Sequence, residues 1–157
     1  MSMNHFFNRR TWSSDAGSAL VELALTLPLL VLVMAGAIDF ARVFYTGMEL
    51  NNAARAGAQF GSYDPARSGN IAGMQTAATG SVNITGVTAT ASRTCQCATG
   101  EGTFFAATCT TTCPSGQHLV VTVTVTTSKT FTTLMGSFPG IPQTVNLVRS
   151  ATLRVPN

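Results

Sequence analysis

The sequence predicts an α+β protein. A long N-terminal helix, membrane-spanning in its first part, precedes a small antiparallel β-sheet domain stapled by disulfides. Three observations carry this. Residues 19–38 are apolar except for Glu22, Thr26 and Pro28, and apolar residues at helical spacing continue past them. Beyond residue 81 the composition turns to Thr and Val, with the period-two alternation of strands. Cys95, Cys97, Cys109 and Cys113 all fall in one short segment.

The composition agrees. Only 10% of the 157 residues are charged, against about 25% in an average soluble domain. The length suffices for one domain plus a membrane helix. The net charge of +3 is scattered, and no basic cluster is dense enough to argue for nucleic acid.

The first element is the helix. Residues 19–38 would span ~30 Å at about 1.5 Å per residue, one hydrocarbon core. Pro28 lies inside it, tolerated there as a kink. Arg9 and Arg10 precede the run, while Asp39, Arg42 and Glu49 beyond it roughly cancel. This bias keeps the N-terminus in the cytoplasm and sends the C-terminal part out. Phe40, Val43, Phe44, Met48 and Leu50, then Ala53, Ala54 and Ala58, extend the helix to about Phe60.

The start of the run has three readings. Gly17-Ser18-Ala19-Leu20-Val21-Glu22, followed by an apolar helix, looks like a prepilin-type leader junction cut between Gly17 and Ser18. The second reading is an uncut single-pass anchor. The third is a secretory signal, with Ala35-Gly36-Ala37 as an A-x-A peptidase site. Glu22 disfavours the third, because an acid opposes insertion of the apolar core.

Larger pieces of this region occur together. They are Gly17 to Leu25, Leu27-Pro28-Leu29-Leu30, Gly36-Ala37-Ile38-Asp39-Phe40-Ala41-Arg42, and Asn52-Ala53-Ala54-Arg55-Ala56-Gly57-Ala58. In this order and spacing they resemble the N-terminal region of TadE-like proteins, the minor pseudopilins of tight-adherence (Tad, Flp-type) pili. The ending Ser150 to Val155 is similar to how such proteins finish. The first residue after the cut would be Ser18, where many type IV pilins have Phe.

The resemblance implies a pilin-type helix and three parts: a leader at 1–17, a long apolar helix at 18–61, and an extracytoplasmic β-rich domain at 62–157. It implies a prepilin peptidase, other pilins and pseudopilins, and the Tad inner-membrane platform as partners. It implies an inner-membrane protein serving adhesion and biofilm formation, without a cofactor. It also implies an assembly role for Glu22, pairing with the N-terminal amine of its own or a neighbouring chain.

Asp39 and Arg42 stand three apart on the helix and can face each other. They read as an interfacial ion pair at the outer membrane–water boundary, worth about 0.5 kcal/mol. Ala53, Ala54, Gly57, Ala58 and Gly61 permit close packing.

Ser62-Tyr63-Asp64-Pro65 ends the helix in a turn. Residues 70–78 form a short second helix. Strands follow at 81–92, 118–129 and 145–155, with Leu119, Val121, Val123 and Val125 on one face of the second and Thr122, Thr124 and Thr126 opposite. Leu147, Ala151, Leu153 and Val155 share a face of the third. Residues 135–142 form a Gly/Pro/Phe loop in which Phe138 and Ile141 cap the sheet or meet a neighbour. Three such strands can pack on the outer half of the helix.

The cysteines would lie between the first two strands. Four thiolates could bind zinc, but outside the membrane disulfides are favoured. Cys95 and Cys97 are poorly placed to bond each other. This leaves 95–113 with 97–109, or 95–109 with 97–113. The only histidines are His5 and His118, and no catalytic set, metal-protease motif or phosphate loop can be assembled. The expectation is a non-enzymatic protein without a metal. Two rivals remain: an uncut envelope protein with a partner-binding outer domain, and a secreted β-rich domain.

Overall fold

The structure, a computed structural model, describes residues 14–136 and 139–156. Helix α1 runs Ser14–Ser62 with Pro28 inside. Two short helices follow, α2 at Pro65–Ser68 and α3 at Ile71–Gly80. The strands are β1 Thr88–Thr99, β2 Phe104–Ala107, β3 Gln117–Thr132 and β4 Thr144–Arg154. They form one sheet in the order β2-β1-β3-β4, with every pairing antiparallel. The chain divides into two units between Ile38 and Asp39.

Local chemistry sets the helix ends. Asp64 caps α2, its side chain accepting the Arg67 N–H at 2.7 Å with Pro65 in the first turn. Asn70 caps α3 by accepting the Gly73 N–H at 2.8 Å. The Arg67 guanidinium lies 5.3 Å from the Phe60 ring centroid and 4.5 Å from that of Tyr63, which ties α2 to the end of α1.

In the second unit α1 and α3 cover one face of the sheet. Ala58, Met74, Ala78, Val123, Val125 and Val155 form one buried cluster, and Leu50, Phe131 and Leu147 a second. The small residues of α1 permit this approach. Ala53, Ala54 and Ala58 are fully buried, and Gly57 and Gly61 are buried beside them. Thr127, also fully buried, donates its hydroxyl to the Leu50 carbonyl at 2.8 Å and so links β3 to α1. The other sheet face is hydroxyl-rich. Ser92 pairs with Thr124 and Thr124 with Thr152 across three strands, and the two threonine hydroxyls are 2.8 Å apart.

Several expectations change. The first strand starts at Thr88, not 81, because Gly86 adopts φ +75° and turns the chain just before it. It then runs to Thr99, so Cys95 and Cys97 lie inside β1 rather than between strands. The sheet has four strands, not three. The added β2 is short, and its Phe-Phe-Ala-Ala run shows no alternation. It returns through a turn at 99–102 in which the Gly102 N–H reaches the Thr99 carbonyl and Gly102 takes φ +82°. Leu153 is 37% exposed, unlike Leu147 and Val155. It stands near the end of β4, the strand at one edge of the sheet. The loop between β3 and β4 contains Ile141, which is exposed, while Phe138 lies outside the described residues.

Candidate functional site

Residues 17–34 of α1 are exposed throughout. Leu20, Leu25, Leu29 and Met34 are each more than three-fifths accessible. A continuous apolar surface of this length is not stable in water and requires lipid or protein around it. The helix is long and apolar enough to cross a membrane. Gly17 and Ser18 lie within α1, both exposed; residues 1–13 of the leader lie outside the described residues. Glu22 stands on the exposed apolar surface and makes no ion pair with any described residue. Thr26 turns its hydroxyl back to the Leu23 carbonyl at 3.2 Å, which satisfies a polar group that lipid could not.

Asp39 opens the second unit and is 8% exposed. Arg42 approaches it at 3.3 Å, the ion pair that the sequence spacing predicts. Its principal partners are main-chain groups. The Leu134 N–H donates to both carboxylate oxygens, at 3.0 and 2.8 Å, and the Met135 N–H to Oδ2 at 3.1 Å. The carboxylate thus clasps the loop after β3 to α1. Arg42 extends over the Phe131 ring, 5.0 Å from its centroid, so both members of the pair also engage the sheet or its loop.

The Leu134 N–H holds the Asp39 carboxyl below the usual carboxylate range; burial opposes this, and the Met135 N–H and the Arg42 charge reinforce it. A depressed folded value adds stability above the unfolded pKa, and this is lost as pH falls through the folded one. The wild type should therefore lose stability below about pH 4, and Asp39→Asn should flatten that part of the acid limb. Urea midpoints of the detergent-solubilised chain between pH 7 and pH 3 provide the check. Equal acid slopes in the two proteins would refute the clasp.

The disulfides settle which pairing occurs. Cys95 bonds Cys109 and Cys97 bonds Cys113, with Cα separations of 5.1 and 5.7 Å. Cys95 and Cys97 are two apart on β1, so their side chains leave from the same face and cannot meet each other. Each reaches instead into the connection between β2 and β3. All four sulfurs are consumed, so the four-thiolate zinc reading does not hold. No cluster of three or more metal-binding side chains occurs among the described residues.

The structure brings together Asp39 with Arg42 and the cysteines in pairs. Glu22 and the Gly17–Ser18 junction belong to the first unit, on the apolar segment. Sequence reasoning missed the backbone groups of Leu134 and Met135. Their only signal was a half-hidden one, an acid at the end of an apolar helix that needs more than one exposed partner.

Residues 17–59 match the family model described as TadE-like protein. No curated protein and no solved structure matches the chain.

Proposed function

We propose that this chain, with a TadE-like segment over residues 17–59, is a structural minor pseudopilin of a Tad (Flp-type) pilus. The observation that carries the proposal is the apolar helical surface at 17–34, exposed throughout and bearing Glu22, which pairs with no described residue. Such a surface suits two successive environments. As a single-pass anchor it lies in the inner membrane, with the N-terminus cytoplasmic and the disulfide-bonded sheet periplasmic. On assembly the same surface packs against other subunits.

In this reading a prepilin peptidase cuts between Gly17 and Ser18, leaving Glu22 as the fifth residue. A carboxylate in an apolar setting is costly alone, and assembly offsets that cost by supplying a cation. The protein works with pilins, pseudopilins and the pilus platform to build a filament for adhesion and biofilm formation. Its role is structural rather than catalytic.

The test is the N-terminal residue of the mature chain, read by mass spectrometry in membrane and sheared-surface fractions. A start at Ser18 that depends on the peptidase is expected. An intact Met1 or Ser2 would leave an uncut anchor, and a start at Ile38 would leave a secreted domain.

A further inference from the structure

Within the second unit α1 carries two stripes, not one apolar face. Leu50 is buried and Val43 packs beside it. Phe40, Phe44 and Met48, which continue the same apolar pattern in the sequence, are 73, 60 and 46% exposed. They stand four apart and so share one side of the helix. The Phe40 and Phe44 rings stack with centroids 6.4 Å apart.

Beside this stripe lies a shallow groove that Arg149 of β4 also lines. Its guanidinium lies across α1 at Gly47, where a Cβ would sit 3.2 Å from Nη2. Gly47 thus lets a long cationic side chain lie along the helix. Nη1 donates to the Val148 carbonyl at 2.8 Å, and Arg149 makes no ion pair with any described residue. Apart from Asn51 the groove is therefore apolar, with one cation that no described residue pairs. The segment at 17–34 is its complement: an apolar helix with one acid, Glu22, that no described residue pairs.

We infer that this groove receives the apolar helix of a second copy of the chain, with Glu22 of that copy paired to Arg149. The inference rests on the pilus-subunit reading and names the cation that reading requires. Apolar side chains flanking Glu22 pack on Phe40, Phe44 and Met48. The guanidinium offers the carboxylate a two-pronged hydrogen bond that an amine cannot. The contact is heterologous, because residues near 22 of one copy meet residues 40–51 of another. Each copy keeps one unused half, and a contact of this kind that does not close into a ring extends into a filament.

The test uses the full chain in cells that assemble it. Benzoylphenylalanine replaces Phe44, and the photo-cross-linked peptides are identified by mass spectrometry. The expected product joins position 44 to a peptide of a second copy containing residue 22. Glu22→Arg and Arg149→Glu should each reduce this product by roughly thirtyfold or more, as for loss of a desolvated charge pair. The double variant should restore it. Glu22→Gln, which adds no charge to the membrane segment, should lose the product as well, while Arg149→Lys should retain more of it than Arg149→Glu. Cross-links to lipid or to another protein in its place would overturn the contact, as would a double variant no better than the single ones. The mature N-terminus is read in the same samples. A start at Ser18 without the cross-link sinks this contact and leaves the pilus reading standing. The cross-link on an uncut chain would do the reverse.

Discussion

Replacing Cys95 and Cys109 together by serine should destabilise the folded unit by about 2–5 kcal/mol. The two bridges span 14 and 16 residues of sequence, a loop length for which chain entropy alone predicts about 3 kcal/mol per bridge. The connection they restrain has little else to order it. Between Ala107 and Gln117 the chain forms no helix or strand, and Cys95 and Cys97 are the buried ends of the staples, each 4% exposed. Domains of this size have only about 5–15 kcal/mol of net stability, so the loss is a large fraction. The thermal midpoint of the detergent-solubilised chain should fall by about 10 °C or more. Amide exchange should rise first in β2 and the neighbouring part of β1, while the β3–β4 pairing keeps its protection. Reduction of the wild-type chain breaks both bridges and should lower the midpoint further. A midpoint unchanged by the double substitution would show that the Cys95–Cys109 bridge holds nothing the sheet does not already hold.

Substituting Gly57 should be the most damaging single change in the helix. A Cβ there would lie 2.7 Å from the Met74 carbonyl oxygen, 3.0 Å from the Ala78 Cβ and 3.1 Å from a Val125 methyl. The first contact is backbone, so α3 itself must move. Helix propensity favours alanine over glycine by about 1 kcal/mol, and here the clash should outweigh it. Gly57→Val should cost about 2–3 kcal/mol, the usual range for overpacking a core. Gly80 supplies the contrast: a Cβ there meets nothing within 4 Å, and Gly80→Ala should stabilise by about 0.4–1 kcal/mol by restricting the unfolded chain. Urea midpoints of the two variants and the wild type decide the matter. A Gly57→Val protein as stable as the wild type would mean that α1 and α3 do not pack as closely as the glycine contacts require.

Both predictions concern residues whose type was legible in the sequence but whose partners were not. The long helix, its end near residue 62 and the strands around 117–132 and 144–154 follow from period and composition, because one residue and its near neighbours suffice to define them. The hydroxyl face of β3 follows likewise from Thr alternating with Val. The TadE-like signature at 17–59 is local in the same sense. So is the facing of Asp39 and Arg42, which the pitch of a helix imposes. The oxidised state of the cysteines was an expectation from the orientation that the Lys/Arg bias implies, and the segment they close followed from their spacing.

Long-range pairing decided the rest. Two disulfide connectivities satisfy the same spacing, and only β1 running through Cys95 and Cys97 with β2 folded back along it selects one. Asp39 is an ion-pair residue by spacing, but the hairpin between β3 and β4 makes it a clasp by bringing the N–H groups of Leu134 and Met135 to it. The pattern Phe40, Val43, Phe44, Met48, Leu50 is one apolar series in sequence. Docking of the sheet splits it into a buried stripe and an exposed one, because a helix surface is shared among neighbours that helical spacing alone does not specify. Period and composition act over a few residues, whereas choice of face, partner and pairing depends on groups tens of residues apart that only the folded chain brings together.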